Sequence, residues 1–289
     1  MAQLHRYGGY NLTSGDSDSD RRWGGARRTS AGNHVARLQT DLAELGTYSG
    51  NIDGEFGPKT GRSLRMFSWN AKSHSQRVAN QSVVLDTHRF SGSLSSSLDA
   101  LLCEEISRWL KSDFRTTGDL IRVQAADFAN IELSSGFRVL SHKAVQQGEI
   151  VISLGFLESL KFADKTAGTL SVKVFLNQAF RVHGNAVSGA VVPPASKSQH
   201  LIGHAIDCNI VDGGSWNTSS DFRNGNETQG ATQFIDAMTK HGLRWGGNFS
   251  RPDTPHFDKR VNPDSDDYDF KFAFNQLSIS RSQPILLKK

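Results

Sequence analysis

An α+β fold in two unequal parts is predicted by three features of the sequence. A helix-period stretch with a Gly-rich interruption lies near the N-terminus, a polar Ser-rich stretch follows it, and the C-terminal half alternates helix-period with strand-period runs. At 289 residues the chain exceeds the size at which one hydrophobic core stops growing, about 250 residues, so two domains are expected.

Composition narrows the class. With 37% hydrophobic and 21% charged residues the chain has the balance of a globular protein, and no apolar run approaches the roughly 18 residues a membrane helix needs. Membrane insertion is not expected. The start, "MAQLHRYGGYNLTSGDSDSDRR", has no apolar core segment and no small-residue cleavage pattern, so it does not read as a secretory signal. Two cysteines, Cys103 and Cys208, are too few for a disulfide framework and lack paired metal-ligand spacing. A net charge of +4 favours an anionic partner, but Lys and Arg are scattered, so a polyanionic surface is expected and nucleic acid is not.

Residues 1–32 are rich in Gly, Ser, Asp and Arg without periodicity and are expected to be an irregular lead-in. In "HVARLQTDLAELG" the residues Val35, Leu38, Leu42 and Leu45 form one helical stripe, with Asn33 as the expected cap and Gly46 as the left-handed stop. Pro58 then opens a second helix carrying Leu64 and Phe67. Residues 72–92 read as a linker. "SLDALLCEEISRWL" places Leu98, Leu101, Leu102, Ile106 and Trp109 at helical spacing as a core-facing helix, with Cys103 a small buried hydrophobe. Short strand-like runs follow, including "LIRVQAADF" and "GFRVLSH", without an interpretable motif. Farther on, a helix is expected from Ser153 to Gly168, a half-buried strand in "TLSVKVF", a helix around Phe234, Ile235 and Met238 ending at Gly242, and strand ends in "LRWGG" and "TPHFD".

The chemistry concentrates in "SQHLIGHAID", residues 198–207. A catalytic zinc site takes three protein ligands and leaves one position open, and His200 and Asp207 can supply two. "AIDCNI" has strand character, so alternation turns Asp207 and Cys208 to opposite faces and removes Cys208 as a nucleophile beside His200. His200 with His204 is the weaker pair. The helical zinc signature needs Glu after the first His, and Leu201 stands there, so His204 is expected to support the site from behind. "RPDTPHFD" supplies the rest: His256 as third ligand and Asp253 as general base, with Asp258 the fallback base.

Two family resemblances complete the reading. "GNIDGEFGPKT", with the Leu-Gln helix before it and the helix ending in Phe67 after it, resembles the peptidoglycan-binding domain type 1, a three-helix module. In that loop Asp53, Gly54, Gly57 and Pro58 fix the turn, and Asp53 and Phe56 are expected wall contacts. Ser198, His200, Gly203, Ala205 and Asp207, with Asp253 and His256 downstream and the "LRWGGNF" run between, resemble the LAS metallopeptidases. That family comprises D-alanyl-D-alanine carboxypeptidases, VanX-type dipeptidases and L-alanyl-D-glutamate endopeptidases. The resemblance implies one zinc ion on His200, Asp207 and His256, Asp253 as catalytic acid, Arg181 stabilising the oxyanion, and Ser198 and Trp245 facing substrate. Asp at 253 in place of Glu, and Pro255 in place of Trp, look more like the endopeptidase branch found in phage endolysins.

The expected organisation is therefore a lead-in at 1–32, a three-helix wall-binding domain at 33–72, a linker and uninterpreted middle at 73–150, an α+β zinc peptidase with an antiparallel sheet at 151–278, and a tail at 279–289. The expected function is cleavage of the stem peptide of bacterial peptidoglycan, most simply at the L-alanyl-D-glutamate bond, by a monomer made in the host cytoplasm and released by a holin. The alternatives are a D-alanyl-D-alanine carboxypeptidase and a catalytically inactive wall-binding protein.

Overall fold

The computed structural model describes residues 4–8, 11–18, 33–79, 90–111, 118–137, 148–184, 196–280 and 285–286. The chain divides into two compact units, residues 1–79 with 84–117, and residues 118–289 with 80–83. No described helix is long and apolar enough to cross a membrane.

The first unit is a three-helix arrangement of α1 (His34–Glu44), α2 (Pro58–Ala79) and α3 (Ala100–Leu110). The stripe Val35, Leu38 and Leu42 meets Leu64 and Phe67 of α2 and Leu102, Ile106 and Trp109 of α3 in one core, and Phe67 and Trp109 pack edge to face at 5.5 Å. Cys103 is buried in that core, whereas Leu101, expected on the same face, is 47% exposed and lies outside it. Gln39 welds the loop to α1. Its amide oxygen accepts the Asp53 and Gly54 N–H groups at 3.1 and 3.0 Å, and its nitrogen donates to Asp53 Oδ1 at 2.7 Å and to the Glu55 carbonyl at 3.0 Å. Gly46 takes the left-handed φ of 77° after α1, and Pro58 is the first residue of α2.

Three expectations for this unit need correction. The segment 1–32 is not wholly an irregular lead-in. Tyr7 and Leu12 are fully buried in the helical core, Arg6 and Tyr7 both donate to Asp41, at 2.7 and 2.6 Å, and the Asp18 carboxylate accepts the Val35 and Ala36 N–H groups. Asp18 therefore caps α1, and Asn33 makes no capping bond. Residues 73–79 belong to α2 and α3 completes the core, so the helical unit extends well past residue 72; residues 80–89 of the expected linker lie outside the described residues. Phe56 is a core residue, 1% exposed, and is not a wall contact, while Asp53 is exposed but turns its carboxylate onto Gln39 and the Glu55 N–H.

The second unit is α+β, and it begins inside the region expected to be uninterpretable. Strands β1 (Leu120–Gln124) and β3 (Glu149–Ser153) pair antiparallel, while β2 (Ile131–Leu133) joins the larger sheet. The run "GFRVLSH" forms no described strand; its residues 138–142 lie outside the described residues. Ser153 ends β3 and caps a 3-10 turn ahead of α4 (Leu157–Leu170), which closes at Ser171 in the left-handed conformation and passes through Gly168. Next come β4 (Val172–Gln178), β5 (Ala205–Asp212), β6 (Ser215–Asn217), α5 (Ser219–Asn224), α6 (Gln229–Lys240), β7 (Arg244–Trp245), β8 (His256–Asp258) and α7 (Asp266–Ser280). The expected tail contributes a last strand, β9 (Ile285–Leu286), parallel to β1.

The larger sheet has the order β2-β4-β5-β8-β7 with β6 paired to β5, antiparallel except for β2 against β4. Alternation gives this sheet two chemically different faces. Val174 and Leu176 of β4, Ile206, Cys208 and Ile210 of β5 and Phe257 of β8 share a core with Leu160 and Ala163 of α4 and Phe234 and Met238 of α6. Phe175, Asn177, Asp207, Asn209 and Val211 point the other way and are only half-buried.

Candidate active site

Asp207 and His256 are register partners on adjacent antiparallel strands, so their side chains rise side by side from the half-exposed face. His200 comes from a 3-10 turn, Gln199–Ile202, that ends at Gly203. Gly203 has φ 76°, and a side-chain carbon there would meet the Ser153 backbone nitrogen at 2.5 Å, so only glycine lets the turn lie on β3. The Ser198 hydroxyl accepts the His200 N–H at 3.3 Å and so caps the turn.

Three atoms converge. His200 Nε2 lies 3.1 Å from Asp207 Oδ1 and 3.1 Å from His256 Nδ1, and His256 Nδ1 lies 3.1 Å from Asp207 Oδ1. The far ring nitrogens fix what these atoms offer. His200 Nδ1 faces the Ala179 carbonyl at 2.6 Å and must donate to it, and His256 Nε2 faces Asp258 Oδ2 at 3.0 Å and donates to it. Two imidazole lone pairs and a carboxylate oxygen therefore point at one another, an arrangement of acceptors that a shared cation resolves. His200, Asp207 and His256 are the residues among those described that could together hold a metal ion. Two nitrogens and one oxygen, with no sulfur, fit a zinc ion with an open fourth position.

Electrostatics agree with that fit. Burial opposes charge on Asp207, yet His200 and His256 hold its carboxyl well below the usual range. Burial likewise opposes charge on His256, but its bonds to Asp207 and Asp258 push it up to about 9, so in the metal-free protein a proton sits where a cation would. Asp258 is itself gripped by Arg244, Nε to Oδ1 at 2.8 Å and Nη2 to Oδ2 at 2.7 Å. This pair orients His256 from behind. Asp258 is thus committed and does not serve as a spare base.

Asp253 is half-buried on the loop before β8. Its N–H donates to the Gly246 carbonyl at 2.9 Å and its own carbonyl accepts the His256 N–H at 3.0 Å, which ties it to the ligand strand. A side-chain carbon at Gly246 would overlap the Asp253 carbonyl, so the Gly-Gly run is what admits this loop. Burial and the negative charge of Asp207 raise the Asp253 pKa, while His256, His200 and Arg181 pull it down. An acid near these charges with an upward-shifted pKa has the character of a proton acceptor. Arg181 follows β4, is buried, donates its N–H to the His200 carbonyl at 3.0 Å and sets its guanidinium 3.4 Å from Gln178 Oε1, beside the register partner of Asp207.

Trp245 is a correction. It is the register partner of Phe257, so its ring falls on the helix-covered face, against the core, and its indole N–H donates to the Thr254 carbonyl at 2.7 Å. It braces the Asp253 loop and does not face substrate. His204 is buried behind the site, with Nε2 at 3.0 Å from the Ser153 hydroxyl. Cys208 is buried on the core face, where burial and Asp207 push its thiol up, so it is no nucleophile. Sequence reasoning missed the carbonyl of Ala179 and the Asp258–Arg244 pair. The second was signalled by His256 and Asp258 standing two apart on a strand, hence on one face.

Residues 193–259, which contain His200, Asp207, Asp253 and His256, match the family model described as D-alanyl-D-alanine carboxypeptidase, a family of zinc peptidases. Residues 31–71 match the model of a peptidoglycan-binding domain. No curated protein matches the chain. Together the matched segments and the His-Asp-His cluster support a metallopeptidase that acts on peptidoglycan.

Proposed function

We propose that the protein is an endolysin-like zinc endopeptidase that hydrolyses the L-alanyl-D-glutamate bond of the peptidoglycan stem. The observation that carries this reading is the convergence of His200, Asp207 and His256 next to a half-buried Asp253 on a unit that follows a peptidoglycan-binding segment. A bound zinc ion supplies Lewis acidity at this point, making water a better proton donor and the carbonyl a better electrophile. Asp253 accepts the proton as water adds to the scissile carbonyl carbon, and returns it to the amine nitrogen as the C–N bond breaks. Arg181, held by its backbone on the His200 turn, faces the negative charge that grows on the carbonyl oxygen. Asp258, Arg244 and the Ala179 carbonyl keep both imidazoles in the orientation the site needs. The wall-binding unit raises local concentration on an insoluble polymer. The Asp253 acid and Pro255 favour the endopeptidase over the carboxypeptidase.

Digestion of defined muropeptides tests the bond: new D-glutamyl N-termini are expected, and free alanine alone would replace this reading with the carboxypeptidase. Chelation is expected to abolish turnover and zinc to restore it, with about one zinc per chain by metal analysis. Full activity in excess chelator refutes the zinc site. His256→Ala should lower metal content and turnover together.

The unit boundary makes a separate prediction. Removing residues 1–117 takes away α1, α2 and α3 and should weaken co-sedimentation with purified sacculi. Turnover of small soluble stem peptides should survive. Loss of that turnover in a folded truncation would refute the modular reading.

A further inference from the structure

Trp216 on β6 is 51% exposed, an unusual position for the largest apolar side chain, and it is not solitary. Its ring lies 4.7 Å from that of Phe175 on β4, tilted by 43°. Register explains the pairing: Trp216 stands opposite Val211, and Phe175 stands opposite Asn209. All of these residues share the half-exposed face with Asp207, two and four positions along β5. Between the candidate metal ligand and the aromatic pair lie two amides, Asn209 and Asn177, with Asn209 Nδ2 3.5 Å from Asn177 Oδ1. The strip is thus a continuous line of carboxylate, amides and aromatic rings, with Lys173 opposite Val211 and Glu132 opposite Phe175 beside it on the same face.

We infer that Trp216, Phe175, Asn177 and Asn209 form a subsite for an N-acetylated sugar of the glycan strand, next to the peptide bond that is cut. An aromatic face is electron-rich and takes the C–H face of a pyranose ring, while side-chain amides offer both a donor and an acceptor to hydroxyl and acetamido groups. The reach also fits. Val211 lies about 14 Å along the strand from Asp207. A lactyl group and one alanine, about two residues of extended chain, span roughly 7 Å, which leaves a sugar ring on this strip when the first stem bond is cut. Cutting the far end of the stem would carry the ring about 17 Å away, past the aromatic pair. The inference rests on the endopeptidase reading above.

The test compares kcat/KM on a disaccharide-bearing muropeptide with that on the same stem peptide without sugar. The wild-type protein is expected to prefer the disaccharide substrate, and Trp216→Ala to lower that ratio about tenfold. Trp216→Phe keeps an aromatic face and should retain most of the ratio, whereas Trp216→Leu keeps apolar area without the face and should lose it. Thermal melts of the three variants identify any that fail to fold, and the Phe–Leu comparison then decides. An unchanged ratio in the folded Trp216→Ala or Trp216→Leu protein overturns the subsite and leaves the endopeptidase standing. A wild-type protein that cuts neither substrate at the L-alanyl-D-glutamate bond overturns the functional reading, and the subsite with it.

Discussion

Asp253→Asn should cost about 100- to 10,000-fold in turnover while leaving the metal content unchanged. The substitution keeps the shape of a side chain that neighbours Asp207, His200 and His256 electrostatically but removes its ability to take a proton. Asp207→Asn should behave oppositely. Its oxygen lies at 3.1 Å from both imidazole nitrogens, so replacing an anion by a neutral amide weakens the site that holds the cation, and zinc is lost before chemistry is tested. Paired metal analysis and turnover separate the roles. Metal loss in Asp253→Asn with retention in Asp207→Asn would reverse the assignments. A zinc-loaded Asp253→Asn protein near full activity would remove Asp253 from proton transfer altogether, and Asp258, already held by Arg244 and His256, offers no replacement.

The residues legible in the sequence were those whose geometry is set locally. His200 and Asp207 could be read because a glycine stop and a strand start lie between them, and alternation alone separated Asp207 from Cys208. The helical stripe of α1 and the Pro58 start were legible for the same reason. What failed depends on contacts distant in sequence. Tyr7 and Asp18 serve α1 from a segment with no periodicity, because their partners are a carboxylate 34 residues away and helix N–H groups 17 and 18 away. Phe56 sits in a motif loop that looks exposed, yet it belongs to the core shared with residues from α1, α2 and α3. Trp245 was expected to face substrate on the family resemblance alone, and a two-residue strand has no alternation of its own to test that; its pairing with Phe257 sets the side.

Lys271→Met should strongly destabilise the peptidase unit. Lys271 of α7 meets Asp119 at 2.5 Å, and the same carboxylate accepts from Asn275 at 2.7 Å and from the Ser153 hydroxyl at 2.6 Å. Burial opposes charge on Asp119, but Lys271 and these donors hold its pKa down to about 2. Removing the cation leaves a buried carboxylate with no opposite charge from Lys271, which typically costs about 3–5 kcal/mol. Adding Asp119→Asn to Lys271→Met should recover part of that loss, since no charge then stays buried. The cluster also reaches the site: Asn275 donates to the Ile202 carbonyl at 3.1 Å and Ser153 N–H to the Gly203 carbonyl at 2.9 Å, so the His200 turn rests on it. The pH dependence has a definite sign. Asp119 is depressed below its unfolded value, so its contribution is present above about pH 4 and is lost as pH falls towards 2. His204 is depressed to about 4, by burial first and by Lys271 second, so the unfolded chain takes up its proton earlier and stability falls as pH drops from about 6.5 towards 4. Chemical denaturation of chelated protein across that range should therefore show wild-type stability declining in both windows, with the gap between wild type and Lys271→Met narrowing as pH falls and Asp119 takes up its proton, first in the variant and then in the wild type. A Lys271→Met protein as stable as wild type at pH 7 would mean that the pair contributes nothing to holding α7 on β1.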